Sequence, residues 1–147
     1  MKIQEIKENK KQFLSLLLLA DEQERMIDRY IDRGTMYGLD DNGIKCVCIV
    51  TDEGKGVLEI KNIATEPKYQ GKGYGRALID FVAMHYQRKY AILQVGTGDS
   101  PLTVPFYEKC GFVRTHCVKN FFIDNYDHPI YEAGTQLVDM VYFQKKI

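Results

Sequence analysis

The chain has 147 residues, the size of one domain, long enough to bury a substantial core. Its twenty basic residues balance twenty acidic ones, and 45% apolar with 27% charged residues is a globular composition. These values exclude a disordered chain and argue against nucleic acid or an anionic membrane as the main partner.

The longest apolar run, FLSLLLLA at residues 13–20, is far short of the roughly 20 residues that cross a bilayer. Acidic DEQE follows it where a signal peptide would have a small-residue cleavage site, so residues 10–20 read as a buried amphipathic helix. Asp21 and Glu24 have capping-box spacing for a second helix, with Met26, Ile27, Tyr30 and Ile31 on one face and Gly34 at its end. The N-terminal third therefore reads as helical. Then the period changes. TMYGL, IKCVCIV and VLEIKNIA are β-prone runs separated by the turn chemistry of DDNG and DEGKG, an antiparallel meander over residues 35–64. Alternation in the third run stumbles at Asn62–Ile63, as a bulge would make it.

After the stretch YQGKGYGRAL, residues Tyr74, Ala77, Leu78, Phe81, Val82 and His85 recur at helical spacing. AILQV (91–95) reads as a buried strand. VPFYEKCG (104–111) reads as a short helix stopped by Gly111, with Pro105 in its first turn. Two further strands are expected near 112–123 and 137–144. The order ααβββ–α–β–α–ββ describes one α/β domain, residues 1–147, with a single strand–loop–helix–strand crossover at the centre of its sheet. Ligands gather at such crossovers. The four cysteines form no CxxC pair and read as reduced core thiols of a cytoplasmic protein; the three histidines have no metal-ligand spacing. His85, on the apolar helix face, reads as a core residue.

Three glycines at alternate positions, Gly71, Gly73 and Gly75, require bare backbone. A P-loop would need a lysine followed by a hydroxyl residue, which is missing. A dinucleotide fingerprint fails because Arg76 or Leu78 stands where its third glycine belongs, and no acidic residue ends the next strand. Successive amides opening a helix at its positive end make a general anion cradle, and that reading fits.

Gln70-Gly71-Lys72-Gly73-Tyr74-Gly75 matches the Q/R-x-x-G-x-G/A pattern of the GNAT superfamily of acyl-CoA-dependent N-acyltransferases. NIATEPKYQGKGYG and VPFYEKCGF also resemble that family, so the likeness covers most of the chain. The tail FFIDNYDHPIYEAGTQLVDMVYF is similar to an uncharacterised bacterial branch of it. The resemblance implies a GNAT-like mixed, mostly antiparallel sheet flanked by helices, with acetyl-CoA as cosubstrate and no metal. It implies transfer of the acetyl group to a primary amine of a small molecule or peptide, by direct attack in a ternary complex. A non-catalytic acyl-CoA-binding module is the alternative. No nucleic-acid or membrane partner is expected, and there is room for a homodimer.

By the same resemblance, amides from Gly71 to Arg76 grip the pyrophosphate of coenzyme A, with Lys72 and Arg76 adding charge. The backbone of Ile63 and Thr65 pairs with pantetheine as a pseudo-strand. Thr65 replaces a common valine, which matters little for a backbone role. Ser100 is placed at the cofactor too, although many members have asparagine there. Tyr107 aligns with the tyrosine that protonates the leaving thiolate; its other reading is core packing beside Phe106 and Phe112. Glu59 lies eleven residues before Gln70, the spacing of a base glutamate in histone-acetylating branches. An alkylammonium of pKa about 10.4 must lose a proton before it attacks, and a partly buried carboxylate serves. The other readings are a solvated strand face for Glu59 and a water relay as base. Finally, Asp124, Asp127 and Glu132 lie in DNYDHPIYEAG, which has no lysine or arginine and joins the last two strands, a connection that in this family often borders the acceptor cleft. They are expected to attract a cationic acceptor, the other reading being an ordinary solvated loop.

Overall fold

The computed structural model describes residues 1–147. The meander forms as its alternation requires: β2 (Thr35–Asp40), β3 (Ile44–Asp52) and β4 (Val57–Thr65) are antiparallel neighbours. The β3–β4 register slips where Ile49 faces Asn62 and Val50 faces Ile60, so Lys61 is the extra residue of a bulge, one position before the expected one. From β4 the chain turns through Pro67–Tyr69 into α3 (Tyr74–Tyr86) and returns as β5 (Ile92–Gly98), parallel to β4. This is the single crossover of the sequence reading.

Beyond β5, α4 (Val104–Lys109) leads to β6 (Val113–Val118), α5 (Phe121–Asn125), a small hairpin of β7 (Tyr131–Glu132) and β8 (Thr135–Gln136), and β9 (Met140–Lys146). Strand β9 inserts antiparallel between β5 and β6. With β1 (Lys2–Ile6) at one edge, the seven-stranded sheet has the order β1-β2-β3-β4-β5-β9-β6, mixed and mostly antiparallel.

The N-terminus corrects the helical reading. Residues Lys2–Ile6 form β1, an antiparallel edge strand on β2. Only Ile6 of its five side chains is buried, so hydrophobic alternation could not announce it. A 3₁₀ turn (Lys10–Phe13), α1 (Leu14–Ala20) and α2 (Glu24–Asp28) follow. The capping box is not formed: α2 starts after Gln23, and the Asp21 carboxylate accepts hydrogen bonds from two tyrosines instead. Gly34 closes the turn below α2, its N–H donating to the Tyr30 carbonyl; a Cβ there would sit 2.6 Å from Ile49 Cγ2. The strand expected over 112–123 stops at Val118, because Asn120 adopts a left-handed conformation (φ 59°) and α5 begins.

Each sheet face has its own core. Leu78, Ile79 and Val82 of α3 pack on Leu58, Ile60, Leu93 and Val95. Leu16, Leu17, Ile27 and Ile31 cover Met36, Val47 and Ile49 on the other face. Cys46, Cys48 and Cys110 are buried thiols, whereas Cys117 is exposed on β6. His85 is likewise exposed, stacked on Phe81 with ring centroids 5.2 Å apart.

Candidate active site

Parallel pairing of β4 with β5 begins at Val57–Ile92 and ends at Ile60–Val95. Both strands run on, β4 to Thr65 and β5 to Gly98, so they part just beyond the Lys61 bulge. A cleft of about 920 Å³ opens at this parting. Its walls are β4 from Ile60 to Thr65, the end of β5, the loop into α3, α4, the α1–α2 connection and the segment between β6 and β9.

The loop is shaped by two glycines in the left-handed region, Gly71 (φ 78°) and Gly73 (φ 88°), the latter the N-cap of α3. Nothing lies within 4 Å of where a Cβ on either would stand. The first-turn amides of α3 have no intrahelical acceptor, so they and the positive end of the helix face open space. The neighbouring side chains brace this shape. Tyr74 donates to Asp41 at 2.6 Å, and Gln70 Nε2 donates to the Thr65 carbonyl at 3.1 Å. Lys45, Lys68 and Lys72 stand 4.4, 5.3 and 5.4 Å from the centre of the Tyr69 ring, a positive cluster beside the loop.

Of the expected cofactor residues, Ile63, Thr65, Gln70, Gly71, Gly73, Tyr74, Gly75 and Arg76 line the cleft, and Lys72 and Ser100 do not. Ser100 is buried, and its Oγ accepts from the Leu102 amide at 3.1 Å, which shapes the turn before α4.

Tyr107 is packed in the core and also reaches the cleft. Its ring packs on Phe106, Phe112 and Phe143, and the residue also lines the cleft. Burial, chiefly, and then the nearby Cys110, Glu132 and Cys46 hold its phenol well above the usual tyrosine value. Cys110 lies outside the cleft walls, its thiol also pushed up by burial, which leaves a protonated sulfur and no nucleophile.

Glu59 is not brought to the cleft. It is buried on β4, bonded to Lys61 Nζ at 2.9 Å and to Gln94 Nε2 at 2.6 Å. Gln144 extends the network by donating to Gln94 at 2.7 Å. Both oxygens of Glu59 are therefore engaged within the sheet, so it is neither a solvated strand face nor a cleft group. The acidic segment divides as well. Glu132 lines the cleft, whereas Asp124 and Asp127 are exposed outside it, Asp127 paired with His128.

The sequence reading missed Asp21. It lines the cleft from the α1–α2 connection and accepts from Tyr30 Oη at 3.0 Å and Tyr126 Oη at 2.6 Å. Burial raises its pKa above the ordinary aspartate value, partly offset by the two phenols. Its place beside Glu24 mimicked a helix cap, and no local signal tells of a partner 105 residues away. No group of three or more His, Cys, Asp or Glu is placed to hold a metal ion. A second groove, of about 550 Å³ along β6, contains none of the expected site residues.

The sequence model of the acetyltransferase (GNAT) domain family matches residues 32–114, from the end of the α2 turn into β6. The chain belongs to the GNAT acetyltransferases. It is 32% identical over 137 residues to the Bacillus subtilis (strain 168) protein named uncharacterized N-acetyltransferase YvbK, covering 91% of this chain and 88% of that one. A GNAT family acetyltransferase from Elizabethkingia anophelis, solved with acetyl-CoA bound, superposes with a TM-score of 0.93 at 34% identity, over 99% of this chain and 97% of that one. A Bacillus subtilis acetyltransferase in complex with CoA gives 0.89 at 30% identity, over 99% and 98%. The GNAT fold thus extends to both ends of the chain, beyond the matched residues. No helix is long and apolar enough to cross a membrane.

Proposed function

We propose that this protein transfers the acetyl group of acetyl-CoA to the primary amine of a cationic small molecule or peptide in the cytoplasm. The observation that carries the reading is the parting of β4 and β5 in front of the Gly71–Arg76 loop. The open space over Gly71 and Gly73 fits a pyrophosphate that the α3 amides would bind. Around Ile63 and Thr65, β4 stays paired with β3 but has lost β5 on its other edge, which fits an extended pantetheine chain running into the sheet. Arg76 and the lysines around Tyr69 attract the phosphates from outside.

Thioester aminolysis then needs a neutral amine, a donor for the oxyanion and a proton for the departing sulfur. The β4 backbone beside the bulge supplies the oxyanion donor. Tyr107 supplies the proton. Because its pKa is raised, it remains a phenol until the carbon–sulfur bond breaks, and it acts first as a hydrogen-bond donor to the growing thiolate. Glu59 is engaged inside the sheet and is not assigned the base role. The acceptor's positive charge is matched by Asp21 and Glu132 on the opposite arm of the cleft, in place of the fuller acidic set of Asp124, Asp127 and Glu132.

The test is release of CoA thiol from acetyl-CoA across polyamines, amino acids, aminoglycosides and lysine peptides. Wild type should release thiol with at least one cationic amine. Tyr107→Phe should keep its acetyl-CoA affinity and lose about tenfold or more in kcat, general acid catalysis typically giving about 10²–10⁴-fold. Tight acetyl-CoA binding without thiol release by any amine would favour the binding module.

A further inference from the structure

The arm of the cleft away from the glycine loop carries hydrogen-bond acceptors that no protein donor meets. Asn62 is 3% exposed, and its Nδ2 donates to the Leu17 carbonyl at 3.0 Å and to Tyr30 Oη at 3.1 Å. A carbonyl can only accept, so this contact fixes the amide orientation. It leaves Asn62 Oδ1 sealed from solvent with no partner. Glu132 Oε2, on β7, is sealed and unpartnered in the same way. Asp21 completes the arm: Tyr30, which receives the Asn62 bond, donates onward to it, and Tyr126 donates from the other side. Both phenols donate hydrogen bonds to the carboxylate and neither brings a positive charge to it.

Arg25 and Arg29 stand at the rim of this arm, bonded to Asn125, and the cleft lining itself offers these acceptors no free cation. Lys61 is paired with Glu59 at 2.9 Å, and Arg76 belongs to the glycine loop. Buried acceptors without donors are costly, and a buried carboxylate oxygen most of all. A primary ammonium, with three N–H donors and a positive charge, is the ligand chemistry that satisfies them.

We propose that Glu132 Oε2 and Asn62 Oδ1 receive the ammonium of the acceptor, and that Glu132 takes its proton. The proposal rests on the acetyl-transfer reading and names the groups that serve it. Glu132 and Tyr107 line the same cleft, and the Glu132 charge is among the groups that raise the Tyr107 pKa. The ammonium gives one proton to Glu132, and its freed lone pair forms the C–N bond at the thioester carbon. When the tetrahedral adduct collapses, the C–S bond breaks and the electron pair goes to sulfur, which takes the Tyr107 proton. The second nitrogen proton restores the Tyr107 phenol, and Glu132 returns its proton to solvent. The products are the amide, the CoA thiol and one proton. Asp21 does not touch the reacting nitrogen in this scheme. Through Tyr30 it positions Asn62, and its charge draws the cation into the arm.

The experiment compares n-hexylammonium with neutral n-hexanol, each titrated into the CoA-saturated protein by calorimetry. Wild type should bind the ammonium at least tenfold more tightly than the alcohol. Glu132→Gln should abolish that preference while binding CoA as before, which also reports that it is folded. With an amine that wild type acetylates, Glu132→Gln should lose at least tenfold in kcat at saturating amine. Equal binding of ammonium by wild type and Glu132→Gln, or no preference in wild type, overturns the receptor. A lost preference with unchanged kcat overturns the proton-acceptor role. Selective ammonium binding with no thiol release by any amine overturns the transfer reading and leaves the receptor standing.

Discussion

Burial raises the pKa of both Tyr107 and Asp21, with opposite consequences for the fold. A tyrosine is neutral near pH 7, so burial only secures the state it already has. An aspartate is charged near pH 7, so burial works against its ordinary state. A carboxyl with a folded pKa above its unfolded value, about 3.9, binds more protons folded than unfolded between the two. Asp21 therefore weakens the fold at pH values above its raised pKa. That penalty fades as pH falls through the folded value toward the unfolded one. Wild type should gain stability relative to Asp21→Asn on acidification through this window, read as the difference in urea midpoints at a series of pH values. If wild type instead loses stability relative to the variant, the two tyrosine hydrogen bonds outweigh desolvation and the carboxylate is a net stabiliser.

At the scale of elements, the proposed cosubstrate site is one joint: the chain leaves β5 along β4, turns at Gly71 and Gly73, and opens α3. Gly73 separates binding from folding in that joint. Asp tolerates its left-handed backbone better than most residues and is a favourable N-cap with a charge suited to the helix N-terminus. Nothing crowds its Cβ. Gly73→Asp should therefore melt within a few degrees of wild type, yet bind acetyl-CoA at least tenfold more weakly, because its carboxylate meets the pyrophosphate. Undiminished binding by calorimetry would remove the loop from the site.

This joint was legible in the sequence because its determinants are local: a glycine pattern, a helical period and a strand that breaks alternation. The meander, the crossover and α4 were legible for the same reason. What was not legible depends on distant partners. Strand β1 exists because β2 offers an edge, and little of its own side-chain surface is buried. Glu59 has the spacing of a base, but Lys61 and Gln94 from the folded sheet occupy its oxygens. Asp21 reads as a cap until Tyr126 folds back to it. Asp124, Asp127 and Glu132 look alike along the chain, and only the β7–β8 hairpin separates the one that faces the cleft from the two that face solvent.

At the scale of the whole molecule, the two helical layers serve different reactants. In the proposed reaction the α3 layer presents amides and positive charge to a phosphorylated cosubstrate, while the α1–α2 layer and the β6–β9 segment present carboxylates to an amine. Arg25 and Arg29 of the α1–α2 layer bond the Asn125 carbonyl and side chain, so the two walls of the acceptor arm are joined at its rim. On this proposal, acyl donor and acceptor approach the parted strands from opposite sides, as direct transfer requires. The decisive measurement follows acetyl-CoA and a cationic amine together, with thiol release and the mass of the amine product recorded in the same reaction. Direct transfer predicts one acetylated amine for each thiol released, with both signals lost in Gly73→Asp and reduced in parallel in Tyr107→Phe. Thiol release without an acetylated amine, or acetylation unchanged in both variants, would contradict catalysis at this cleft.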